Sequence, residues 1–242
     1  MNSMSGHSKW ATTKRQKETA DQKKGVAFTK LARAISVAAK KGGGDPETNF
    51  TLRLAISKAK QANMPKENIE RTIERATGGG DGESLEELVY EAFGGEGTAL
   101  IIEATTDNKN RLASEIKLAL SRGGGKLADS GAALRLFNRV GRITVALDKN
   151  NGDHESLSLK LMDASADDIS EEEGGLVGIF PIERLSEASK TLDMKEIKHT
   201  IEISYMPYSK ISVSENAKDD LIKLVQALKN IDDVNGIYTN AS

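Results

Sequence analysis

Gly78-Gly79-Gly80-Asp81-Gly82 divides this chain into two parts with different periodicities. Four glycines in five residues sustain neither a helix nor a strand, so the stretch reads as a linker. Before it, apolar residues recur at helical spacing; after it, short strand-like runs alternate with helices.

Working back from the linker, Pro65 opens a helix with Ile69, Ile73 and Ala76 inward, and Glu67 and Arg71 are spaced to pair on its outer face. The helix before it is expected to start at Asp45 as N-cap with Pro46 in the first helical position. It would bury Leu52, Ala55, Ile56, Ala59 and Ala62 and end near Asn63-Met64. The first helix, about 26–41, places Phe28, Leu31, Ile35 and Ala38 on one stripe and stops at Gly42-Gly43-Gly44. Lys30, Arg33, Lys40 and Lys41 fall largely off that stripe. Residues 1–81 are therefore expected to be a basic tail followed by a three-helix domain.

Beyond the linker, Leu88–Phe93 and Thr98–Ala104 read as neighbouring strands joined by Gly94-Gly95-Glu96-Gly97. Asp107-Asn108 cap a helix with Leu112, Ile116, Ala119 and Leu120 inward, which runs out at Gly123-Gly124-Gly125. Strand-like segments follow at Leu134–Phe137 and Arg142–Leu147, then a helix from His154 to Met162 and a strand at Leu176–Phe180. A helix from Ile182 to Leu192, a strand at Thr200–Ser204, a helix burying Leu221, Leu224, Val225 and Leu228, and a strand at Val234–Tyr238 complete the chain. This interleaving predicts an α+β fold with antiparallel sheets carrying helices on one face.

The 242 residues can hold up to three small domains with a real core, which must be mainly aliphatic because aromatics make up only 4%. The chain has no Cys, which excludes disulfides, thiolate metal sites and cysteine nucleophiles. Three scattered His argue against a histidine-rich metal centre, and no metal or cofactor is expected. No apolar run approaches the roughly 20 residues that cross a bilayer. Nor does the N-terminus show the layout of a secretory signal, so no membrane association and a cytoplasmic location are expected.

The formal net charge of -2 conceals an asymmetry. Residues 1–77 hold 16 Lys+Arg against 7 Asp+Glu, a balance of +9; the rest holds 18 against 29, a balance of -11. One end attracts phosphates and the other repels them, which orients the molecule on a polyanion. Ser5-Gly6-His7-Ser8-Lys9-Trp10 opens the basic region with the only Trp in the chain. His7, Lys9, Trp10, Lys14, Arg15, Lys17, Lys23, Lys24, Lys30, Arg33, Lys40 and Lys41 are the candidate nucleic-acid contacts. Each cation near a phosphate releases a counterion, and an aromatic beside them can stack on a base or ribose. The alternative for the opening stretch is a tail whose Trp rests against the first helix. Such a patch positions a protein on a backbone without reading sequence. With no helix-turn-helix, zinc-finger or RNA-recognition signature, residue chemistry does not separate DNA from RNA.

Other motifs carry less. Lys126 follows a glycine triplet but precedes Leu127 where a phosphate loop needs Ser or Thr, so helix termination explains those glycines better. Asp167-Asp168 and Glu171-Glu172-Glu173 lack the alternating spacing of a calcium loop. They read as solvated surface, a face for a basic partner, or a divalent-cation site of a metal-dependent enzyme. No nucleophile has an identifiable base; His154 and His199 read as surface or satisfied side chains.

An ordered set of stretches resembles the YebC/PmpR family, which includes the mitochondrial translational activators of cytochrome oxidase. It comprises Gly6–Trp10, Phe28–Leu31, Gly42–Pro46, Asn63-Met64-Pro65 with Asn68-Ile69, and Thr106-Asp107-Asn108 with Asn110-Arg111. Gly124–Leu127, Tyr205-Met206-Pro207, and Asp232-Asp233-Val234 with Tyr238-Thr239-Asn240 extend it nearly end to end. The chain departs at Phe93-Gly94-Gly95-Glu96-Gly97, where the family typically shows Tyr-Gly-Pro-Gly-Gly, and at Gly131–Arg135. The resemblance implies three domains: residues 1–81, a middle ferredoxin-like domain of 82–134 plus 207–242, and an inserted one of 135–206. It further implies a non-enzymatic regulator of transcription that binds DNA, and a monomer is expected. The alternative is a translation factor that contacts messenger or ribosomal RNA on the ribosome.

Overall fold

The computed structural model describes residues 25–78, 85–147, 152–172 and 175–242. Contacts gather the chain into two compact units that divide at Leu85/Glu86.

In the first unit, helices α1 (25–42), α2 (Phe50–Gln61) and α3 (Lys66–Thr77) enclose Ile35, Ala38, Ala39, Leu52, Ala55, Ala59, Met64 and Ile69. Phe28, Leu31, Ile56, Ile73 and Ala76 pack against that cluster, as their spacing predicts. Three expectations are corrected. Asp45 does not cap α2; its carboxylate accepts from Glu47 N and Thr48 Oγ1 and holds a separate turn. The cap is Asn49, whose Oδ1 accepts from Leu52 N at 3.0 Å while its Nδ2 donates to Ala38 and Gly43 carbonyls at 2.8 Å. One buried amide thus starts α2 and closes the end of α1. Ala62 is exposed, and Met64 fills the position expected of it. The i,i+4 ion pair on α3 is Lys66–Glu70 at 3.4 Å rather than Glu67–Arg71.

The second unit holds two four-stranded antiparallel sheets. The first has the order β3-β1-β2-β8, from β1 (Glu86–Phe93), β2 (Ala99–Thr106), β3 (Lys126–Leu127) and β8 (Val234–Thr239). Helices α4 (Lys109–Arg122) and α7 (Glu215–Lys229) cover one face, where Leu112, Ile116, Leu120, Leu221, Leu224 and Leu228 meet Leu100, Ile102 and Ala104. Each buried Leu or Ile of this set stabilises the unit by about 1.5–3 kcal/mol before entropy.

The second sheet has the order β5-β6-β4-β7, from β4 (Phe137–Ala146), β5 (Asp168–Glu172), β6 (Gly175–Phe180) and β7 (His199–Pro207). Helices α5 (His154–Asp163) and α6 (Ile182–Met194) pack on it. All its strands fall between β3 and β8 in sequence, so one α+β layer is inserted in the other. Two expectations change here. The segments at 134–137 and 142–147 are a single 3-10 turn, Leu134–Leu136, running into one unbroken strand, β4. Gly141 interrupts the apolar pattern because α6 needs the space: a Cβ there would lie 2.5 Å from Leu185 Cδ1. Of the acidic stretches read as solvated surface, Asp168, Glu171 and Glu172 are exposed but belong to an edge strand, whose carboxylates discourage pairing with another chain, and Glu173 lies outside the described residues.

The other face of the first sheet is partly covered where the chain enters and leaves the inserted layer. Ala133, Phe137 and Tyr205 bury Ala99 and Ile101, and the Tyr205 and Tyr238 rings lie 5.2 Å apart. Glu91 fixes this junction: its carboxylate accepts N–H bonds from Gly131, Ala133 and Leu134 at 2.6–2.8 Å. It is 5% exposed.

Candidate nucleic-acid interface

Among the candidate contacts, Lys30, Arg33, Lys40 and Lys41 lie within the described residues; His7, Lys9, Trp10, Lys14, Arg15, Lys17, Lys23 and Lys24 lie outside them. At about 100° per residue the four cations of α1 fall within an arc of roughly 100°, on the side away from Ile35 and Ala39. Lys40 and Lys41 are exposed; Lys30 and Arg33 are half-buried. Val37 sits inside that arc and is 2% exposed, a burial that helical periodicity does not foretell.

Six further cations of this unit did not enter the sequence-based candidates. Arg53 stacks over the Phe50 ring at 5.0 Å from its centroid, and Lys58 and Lys60 stand exposed in the last turn of α2. Lys66, Arg71 and Arg75 are exposed on α3. Residues 25–78 carry ten Lys+Arg against five Asp+Glu. Arg71 and Arg75, an exposed i,i+4 pair opposite Ile69 and Ile73, were legible from the same periodicity that placed those isoleucines inward.

Chemically this surface offers cations spread over about 16 Å of α1, from 1.5 Å of rise per residue between positions 30 and 41. Cations set that far apart neutralise phosphates of a backbone rather than grip one compact anion.

The polar clusters elsewhere are structural. Ser189 Oγ lies 2.9 Å from His199 Nε2, and Nδ1 lies 2.8 Å from the Ile197 carbonyl. The Asp193 carboxylate is 4.0 Å away. This resembles a hydrolase triad in composition alone, because Ser189 is 2% exposed and Nδ1 lies against the Ile197 carbonyl rather than the carboxylate. Arg111 bonds Asp233 at 2.7 Å and Asp107 at 2.8 Å, and Thr106 Oγ1 donates to Asp233 at 2.7 Å. Asp233, and less so Asp107, hold the Arg111 guanidinium above its ordinary pKa. Tyr238 donates to Glu103 at 2.9 Å; burial first, and then that carboxylate, push its phenol well above the usual range. Asn240 Oδ1 accepts from Ala99 N at 2.8 Å. Thr106–Arg111 thus meets Asp232–Val234 at one end of the β2–β8 pair, and Tyr238–Asn240 meets residues 99–103 of β2 towards the other. Among the described residues no three His, Asp or Glu gather closely enough to hold a metal ion.

Both units match one family. The profile of the TACO1/YebC N-terminal domain fits residues 8–79, and that of the TACO1/YebC second and third domain fits residues 85–241. The chain belongs to the TACO1/YebC family. A relative from Pseudothermotoga lettingae named "Probable transcriptional regulatory protein" is 44% identical over 98% of this chain and 93% of its own length. A Bacillus subtilis relative, "Probable transcriptional regulatory protein YrbC", is 40% identical over 98% and 99%. The crystal structure of a conserved hypothetical protein from Aquifex aeolicus superposes with a TM-score of 0.82 at 37% identity, covering 90% of each chain. Glu96, in the turn between β1 and β2, adopts the left-handed φ of +53. Its carboxylate accepts from Ser214 N and Oγ at the start of α7, bonds that a glycine does not make.

Proposed function

We propose that this TACO1/YebC chain is a non-catalytic regulator that acts by binding nucleic acid through its basic N-terminal part, with transcriptional control through DNA as its role. The observation that carries the reading is the charge polarity: +9 over residues 1–77 against -11 over the remainder, with four cations of α1 on one arc. The names of the relatives support a regulatory role. The arrangement favours contact with phosphates over readout of bases, because among the described residues no aromatic platform accompanies the cations.

Fluorescence anisotropy with duplex DNA and with structured RNA, each across a salt series, tests this, beside cosedimentation with ribosomes. Binding to DNA that weakens steeply with salt is the expected result. Ribosome cosedimentation without DNA binding would replace transcription by translation as the process regulated. Binding to neither would overturn the reading.

A further inference from the structure

Helix α5 is apolar on two opposite faces. Leu157 and Leu161 are 1% and 0% exposed and pack against the second sheet. Leu159 lies about 180° from the midpoint of that pair at 100° per residue, so it points straight out. It is 57% exposed, and Met162, on the same outer arc, is 60% exposed. Met194, 79% exposed, stands one residue before Lys195, whose ammonium bonds Asp163 at the end of α5 at 2.7 Å. Scattered apolar side chains on a surface need no explanation, but two in one stripe on the back of a packed helix form an unpartnered face.

The rim of this face is acidic. Asp153, Glu155 and Asp163 are exposed on α5 and its cap, and His154 meets the exposed Glu171 of the neighbouring edge strand at 3.6 Å. Lys160 and Lys195 supply the cations there. Segment 135–206 as a whole carries 14 Asp+Glu against 9 Lys+Arg. A second copy presenting the same face would bring like charges together, which argues against α5-to-α5 self-association.

We propose that the outward face of α5, with Leu159 and Met162 as anchors and Glu155 at its rim, docks a basic amphipathic helix of a partner protein. Apolar side chains on the incoming helix cover Leu159 and Met162, and its Lys or Arg residues meet the carboxylates of the rim. Unbranched Met adapts to such a partner, and anchors spaced along one arc suit helix-on-helix recognition. The inference is independent of the N-terminal charge and of nucleic-acid binding.

The test uses the full chain and two synthetic helices with one shared Leu face, one with Lys and the other with Glu on the polar side. Titration calorimetry and amide chemical shifts are read for wild type, for Leu159→Ser with Met162→Ser, and for Glu155→Lys. The Lys peptide is expected to bind wild type, shift α5 amides, and lose at least tenfold in affinity to each variant; the Glu peptide is expected not to bind. Unchanged melting of the variants separates lost docking from lost folding, as their exposed positions predict. Equal affinity for the variants, shifts outside α5, equal binding of the Glu peptide, or no binding of the Lys peptide overturns the proposal. So does self-association of wild type that the double variant abolishes, which would assign the face to a second copy.

Discussion

Glu91 carries more of the fold than its place in a strand suggests. Burial alone would raise its pKa, but three backbone N–H groups at 131–134 outweigh that and hold the carboxyl below the ordinary range. Because the folded value is depressed, the stabilisation is fully present above the unfolded range near ~4.3 and is lost as pH falls through the folded value. Glu91→Gln keeps the shape but turns one acceptor into a donor facing N–H groups, and should cost about 2 kcal/mol at pH 7 in urea unfolding. The gap to wild type should narrow towards pH 3; parallel pH profiles would show that Glu91 is not the group that titrates.

At the level of elements, two close approaches decide where helices sit. Asn49→Ala removes the cap of α2 together with both bonds to the end of α1, an expected loss of about 2 kcal/mol. Asn49→Asp is the sharper variant, because it keeps the capping acceptor yet sets a carboxylate against the Ala38 and Gly43 carbonyls. Hydrogen exchange of amides in 25–78 should accelerate at least as much in Asn49→Asp as in Asn49→Ala; protection by Asp would mean that the cap alone matters. Gly141→Ala pushes a methyl into Leu185 and should destabilise by about 1–3 kcal/mol. Combining it with Leu185→Ala, which opens that space, should cost less than the sum of the two single changes in denaturant melts. Strict additivity would indicate that the strand accommodates the methyl without moving α6.

For the whole molecule, the relevant quantity is the uneven distribution of charge. Replacing Lys30, Arg33, Lys40 and Lys41 by Ala should reduce the slope of log affinity against log salt on duplex DNA by up to about four contacts' worth. An unchanged slope would move the interface elsewhere. We also infer domain boundaries at 81/82, 134/135 and 206/207. Limited proteolysis should cut first in 79–84, because the glycine-rich linker has no apolar residue to bury, and leave 86–242 intact.

How much of this was legible before the fold was known depended on the range of the interaction. Helices α1 to α7 follow from apolar periodicity and local stop signals, because both act within one turn of a helix. Charge polarity needs composition alone. Asn49 was missed because Asp45-Pro46 carries the stronger local cap signal, and only the packing of α1 against α2 shows which residue sits at the junction. Strand β4 was split because Gly141 looks like a break until Leu185 fills the space above it. The acidic run 168–172 gives no apolar alternation, so its pairing with β6 is imposed by the neighbouring strand. By itself the sequence determined which segments are helical and which end is basic, both of them short-range or additive properties. Residue pattern left the nesting of the sheets open and only the family resemblance implied it, whereas tertiary structure alone decided the Glu91 junction and which apolar residues of α5 face outward, since both depend on packing between distant parts of the chain.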